Sequence, residues 1–182
     1  MNPRAAAPSS ARDADARARE AAQTSFGRPL LLVAGAGTGK TAALVARIVA
    51  WSLGRGWEEA ERALSERPRP AGAPAASRAP ESVAARVLER VVAITFTEAA
   101  AAEMASRVAD ALSGIATGEP PAWILPDALP ADEASRVERA AALLVALDRL
   151  VVCTIHAFCR RVLSRNPVEA GLHLAFAVDA DG

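Results

Sequence analysis

Three short unbroken apolar runs punctuate the chain: LLLVA at 30–34, VVAIT at 91–95 and LVVCTI at 150–155. Each has strand length and is continuous rather than alternating, the pattern of strands covered on both faces, as in a parallel sheet. Each is followed by a segment of helical period. After the first, residues 41–53 place Leu44, Ile48 and Trp51 on one stripe and meet Gly54 as a stop. Beyond the second, residues 98–114 repeat Met104, Val108 and Leu112 every four positions, up to Gly114. The third runs into HAFCRRVLSRN, a helix expected to reach Pro167. Another helix is predicted from about Asp132 to Asp148 on Val137, Leu144 and Leu147, and a short polar one from Asp13 to Gln23. This alternation predicts an α/β domain built on a parallel sheet.

The remaining segments read as connections. Residues 1–12, rich in Ala, Ser, Pro and Arg, lack apolar period and read as a tail. Two Pro-rich insertions are expected in the domain spanning 13–182. One covers about 55–82, partly helical near 57–66 and dispensable to the core; the other covers 118–131. No internal repeat is evident. Hydrophobic residues at 52% and charged ones at 23% rule out wholesale disorder. Lys and Arg total 21, as do Asp and Glu, so any contact with nucleic acid must be local rather than driven by a global basic field. No run approaches the ~18–20 apolar residues of a membrane span, and the N-terminus lacks a secretory-signal layout. No membrane partner and a cytoplasmic location are therefore expected, and two cysteines, Cys153 and Cys159, suit a reducing compartment.

Of the 21 basic residues 20 are Arg, and the one lysine, Lys40, marks a place where a guanidinium would not serve. It lies in AGAGTGKT, formed by Ala34, Gly35, Ala36, Gly37, Thr38, Gly39, Lys40 and Thr41. This is the phosphate-binding loop pattern with Ala34 in place of its first glycine. The glycines let the backbone curl until successive N–H groups point inward, and the following helix adds its positive end. A nucleoside triphosphate such as ATP fits that nest. Lys40 is expected to reach the β- and γ-phosphates as a compact charge, and the Thr41 hydroxyl to ligate Mg²⁺.

Ligands of an open parallel sheet gather at the carboxyl ends of its strands. Two clusters are predicted on that rim: Thr95, Phe96 and Thr97 after the second strand, and Thr154, His156 and Phe158 after the third. Phe96 is either a stacking face for a base or a core side chain, while Thr95 and Thr97 bond to phosphates or cap the helix. His156 donates to a phosphate or to the backbone. The C-x-x-H-x-x-C spacing of Cys153, His156 and Cys159 supplies too few ligands for zinc. Arg160, Arg161 and Arg165 either extend a nucleic-acid surface or form a solvated helix face.

AGAGTGKT, AITFTEAAAAEMASRV (93–108) and TIHAFCRRVLSRNPVEAGL (154–172), in that order, resemble the N-terminal motor region of UvrD/RecB-type superfamily 1 DNA helicases, nearest to the RecB and AddA helicase–nuclease subunits. The resemblance implies a RecA-like P-loop fold, with the sheet incomplete in this chain. It implies MgATP on Gly37, Gly39, Lys40 and Thr41, single-stranded DNA on Thr95, Phe96, Thr97, Thr154, His156 and Phe158, and a helicase–nuclease partner subunit. Glu103 and Arg107 match its second motif and are spaced to pair along the helix. The chain departs from the family at three points. A glutamine usual upstream of the loop has Arg17 or Ala18 in its place. Ala157 replaces a serine. No strand ends in the paired carboxylates that hold Mg²⁺, since residues 143–148 suit a helix and Arg149 follows Asp148. The expectation is the front of a helicase, inactive by itself. A small P-loop phosphotransferase and a non-catalytic nucleotide-binding module are the alternatives.

Overall fold

The computed structural model describes residues 11–33, 35, 37, 39–66 and 79–173. Seven helices and two strands are found among them. In chain order they are α1 (Ala11–Thr24), α2 (Lys40–Leu53), α3 (Arg55–Ser65), α4 (Pro80–Leu88), β1 (Val92–Thr95), α5 (Glu98–Ala116), α6 (Glu133–Val145), β2 (Val151–Thr154) and α7 (Ile155–Arg165). The strands pair in parallel, with Val92 opposite Val151 and Thr95 opposite Thr154, so both end at one edge. The α/β class and the parallel pairing thus agree with the pattern. The core lies between helices: Val45, Val49 and Leu53 of α2 meet Val87 and Leu88 of α4, Val108 and Leu112 of α5, and Leu143 of α6.

The structure corrects the sequence reading in several places. Residues 30–33 form no strand; Leu31 is 86% and Val33 88% exposed. A continuous apolar run becomes a strand only where ladder partners and cover exist, and neither β1 nor β2 pairs with it. The α2 stripe of Leu44, Ile48 and Trp51 is not its buried face, which consists of Val45, Ala46, Val49, Ala50 and Leu53. This helix is apolar on two sides, and periodicity alone does not choose between them. In α6 the buried positions are Ala140, Ala142 and Leu143, with Leu144 and Leu147 packing at the margin.

Segment 55–65 is not dispensable. Trp57 is 3% exposed and Ala60 fully buried, because α3 packs against both α2 and α4. The end of the expected 55–82 insertion also belongs to a core helix, α4, which buries Val83, Ala84, Val87 and Leu88. The expected loop over 67–78 and the tail over 1–10 lie outside the described residues. In the 118–131 connection, Ile124 and Leu129 are buried, and Gln23 of α1 pins it by donating to the Trp123 carbonyl and accepting from the Leu125 N–H.

Gly114 does not end α5, which continues to Ala116 before the turn at Gly118, φ 83°. A Cβ at Gly114 would lie 2.6 Å from the Glu119 carbonyl oxygen, so that glycine serves close approach of the returning backbone. The Met104, Val108 and Leu112 stripe is buried as read, and Glu103 pairs with Arg107 on the exposed side.

Candidate functional site

The glycine loop between α1 and α2 shows the backbone its composition demands. Gly37 (φ 74°) and Gly39 (φ 85°) take left-handed conformations that L-residues rarely adopt. A Cβ at Gly37 would meet nothing within 4 Å, so the conformation, not crowding, selects glycine there. Ala34, Ala36 and Thr38 lie outside the described residues. Lys40 opens α2, and its Nζ donates to the Gly35 carbonyl at 2.6 Å, folding the side chain back over the loop. The first turn of α2 carries no acidic residue and no side-chain cap, so its positive end is left to an anion. Thr41, in that same turn, is half-buried. Left-handed glycines, a lysine folded back over them and an uncapped helix start are chemically suited to a polyphosphate.

Arg47 ties the end of α1 and the residues after it to α2. From α2 it donates to the Ala22 carbonyl at 2.7 Å and the Ser25 carbonyl at 2.9 Å, and its guanidinium lies 4.7 Å from the centre of the Phe26 ring. Burial pushes its pKa below the ordinary arginine value. The segment leading into the glycines is thereby tied to the helix leaving them. No signal in the sequence separates Arg47 from the other arginines.

At the sheet edge, each strand passes straight into a helix through a capping threonine. Thr97 accepts the Ala100 N–H at 3.1 Å to cap α5, and Thr154 accepts the Ala157 N–H at 3.3 Å to cap α7. Thr95 donates to the Thr97 carbonyl at 3.0 Å. The buried Thr154 hydroxyl also donates to Glu98 Oε1 at 3.0 Å, joining the two strand ends directly. Phe96, directly after β1, is 95% exposed and is no core side chain. His156 is exposed in the first turn of α7, and Phe158, two residues on, is half-buried. Cys153 and Cys159 are free thiols, and no group of three metal-ligating side chains occurs among the described residues.

The Arg90 guanidinium lies 5.6 Å from the Trp51 ring centre, which fixes the far end of α2 beside the residues that lead into β1. Leu44, Ile48 and Trp51 of α2 line one groove with Val91 and with Val92, Ala93 and Ile94 of β1. This groove, 410 Å³, is where the Leu44, Ile48 and Trp51 stripe goes. Arg161 and Arg165 are not brought to the rim: α7 leads away from it, and they line a hollow with Arg86, Glu89, Asp148 and Arg149 near the opposite end of β2. Asp148 lies in a 3-10 turn rather than a strand.

Residues 15–181 match the family model described as the UvrD/REP helicase N-terminal domain. Among similar curated proteins, an ATP-dependent helicase/nuclease subunit of Thermoanaerobacter sp. (strain X514) is 30% identical over 143 residues, covering 79% of this chain and 8% of that protein. The protein of the same name from Clostridium botulinum (strain Langeland) is 33% identical over 137 residues, covering 75% of this chain and 7% of the relative. A third, from Pelotomaculum thermopropionicum, is 30% identical over 152 residues, covering 84% and 9%. The chain thus spans less than a tenth of the length of each. No described helix is long and apolar enough to cross a membrane.

Proposed function

The chain belongs to the family of UvrD/REP helicase N-terminal domains, and on that premise we propose that it forms the front of the first, RecA-like motor domain of an ATP-dependent DNA helicase. It binds MgATP at the glycine loop and single-stranded DNA along the strand-end rim. What supports this reading is the parallel pairing that brings Thr95 and Thr154 to one edge, with Phe96 and His156 directly after them in the chain, together with the groove that α2 shares with β1. Lys40 leaves the Gly35 carbonyl to neutralise the terminal phosphates, and the Gly37 and Gly39 backbone and the α2 start hold the rest. Thr41 is a magnesium ligand, and the ion supplies Lewis-acid neutralisation of phosphate charge when bound.

On the rim, Phe96 offers an unobstructed ring face for a base. Thr97 and Thr154 hold the turns that present Phe96 and His156, and Thr95 and Phe158 complete the track. The relatives' name supports a further expectation, that the whole polypeptide works with a partner subunit in a helicase–nuclease. Phe96→Ala tests the DNA half. Single-strand binding, read by filter retention of labelled oligodeoxythymidylate at fixed salt, should weaken by about 1–3 kcal/mol, the worth of one stacked base. The unfolding midpoint should not move, since the ring is exposed. Unchanged retention would remove the stacking role.

A further inference from the structure

We infer that Arg19, on α1, is a phosphate-binding residue of the glycine loop and the second cation of its nucleotide site; this rests on the reading of that loop as a nucleotide site. A Cβ built at Gly39 would lie 3.8 Å from Arg19 Nη1, so the guanidinium flanks the loop at the residue preceding Lys40. Its Nε donates to Asp15 Oδ2 at 2.8 Å, one helical turn earlier, which orients the planar fork and turns Nη1 toward the glycine. Arg19 and Asp15 are about half and two-thirds exposed, and an exposed pair of this kind adds little stability. The pair therefore finds its use in aiming the fork rather than in holding the fold.

The support behind it is firm. Arg47 ties the last turn of α1 to α2 through the Ala22 carbonyl, so Arg19, less than one turn before Ala22, is held at a set distance from the loop. At half exposure its terminal nitrogens can exchange water for anionic oxygen without a large desolvation cost. Guanidinium and ammonium play different parts here. Lys40 is a point charge folded back over the loop, whereas the Arg19 fork comes from a separate helix and can take two phosphate oxygens side by side. A ligand with several phosphates gains from both cations; one without phosphates gains from neither.

The test measures binding to the full 182-residue chain by competition against a fluorescent, non-hydrolysable ATP analogue with Mg²⁺. Arg19→Ala should weaken the analogue and inorganic tripolyphosphate alike by about tenfold, the scale of one charge-assisted hydrogen bond, and leave adenosine unchanged. Arg19→Lys should recover part of the loss, and Asp15→Asn should show a smaller loss than Arg19→Ala. Thermal unfolding of Arg19→Ala should match the unsubstituted chain. Affinity retained by Arg19→Ala but lost by Lys40→Ala would overturn the inference and leave the loop reading standing. Affinity retained by both, or an unsubstituted chain that does not bind the analogue, would overturn the loop reading and the inference with it. A loss in Arg19→Ala that is matched by a lower unfolding midpoint and not recovered by Arg19→Lys would assign the residue to stability and also overturn the proposal.

Discussion

Trp57→Ala lowers the unfolding free energy by about 3–5 kcal/mol, the cost of emptying a buried aromatic site. That is a large fraction of the ~5–15 kcal/mol that holds a domain together. Trp57 is 3% exposed at the corner where α2 turns into α3, and the Arg139 guanidinium lies 5.4 Å from its ring centre while donating to the Leu53 carbonyl at 2.7 Å. Removing the ring therefore leaves a void between three helices and takes away the face over which Arg139 is held. For a chain of this size the melting temperature should fall by roughly 6–20 °C in calorimetry. A shift within about 1 °C would return the segment to the status of a surface insertion.

Lys40→Ala weakens MgATP binding by about 1.5–3 kcal/mol, or roughly ten- to a hundredfold, because a charged donor to the phosphates is lost. Isothermal titration measures this directly. The unfolding midpoint should stay in place, since Lys40 is exposed and contributes nothing to the buried core. Lys40→Arg should not restore binding. The ammonium, a compact point charge, donates to the Gly35 carbonyl at 2.6 Å, and a planar guanidinium does not reproduce that geometry. Equal affinity in Lys40→Ala and the unsubstituted chain would leave the loop without a nucleotide role.

Much of the sheet edge was legible because its signals are local. The apolar runs at 91–95 and 150–155, each with a threonine at or next to its end before a helical period, specify a strand, a cap and a helix within about ten residues. The structure shows β1 capped into α5 by Thr97 and β2 into α7 by Thr154. The stripe of Met104, Val108 and Leu112 was likewise readable, since α5 is apolar on one side and carries Glu103 and Arg107 on another. Residues 30–33 carry an equally clear strand signal, yet such a signal records a need for cover that the described residues do not meet.

Other features depend on contacts distant in sequence. Prolines at 68, 70, 74 and 80 gave their character to the whole 55–82 segment and hid Trp57, whose burial depends on α2 and α4 rather than on its neighbours. Among 20 arginines, Arg19 and Arg47 have no distinguishing context; only the packing of α1 on α2 brings them to the loop. The glutamine sought near the loop illustrates the same point. Gln23 is close in sequence, but both ends of its amide serve the 118–131 connection.

The central claim is that nucleotide and single-stranded DNA share one face, and photo-crosslinking addresses it most directly. An oligonucleotide bearing 5-iodouracil, irradiated on the chain in the presence of Mg²⁺ and a non-hydrolysable ATP analogue, should form its adducts at Phe96 or His156. Adducts confined to the far end, at the hollow of Arg86, Arg149, Arg161 and Arg165, would place the DNA away from Lys40 and contradict the account.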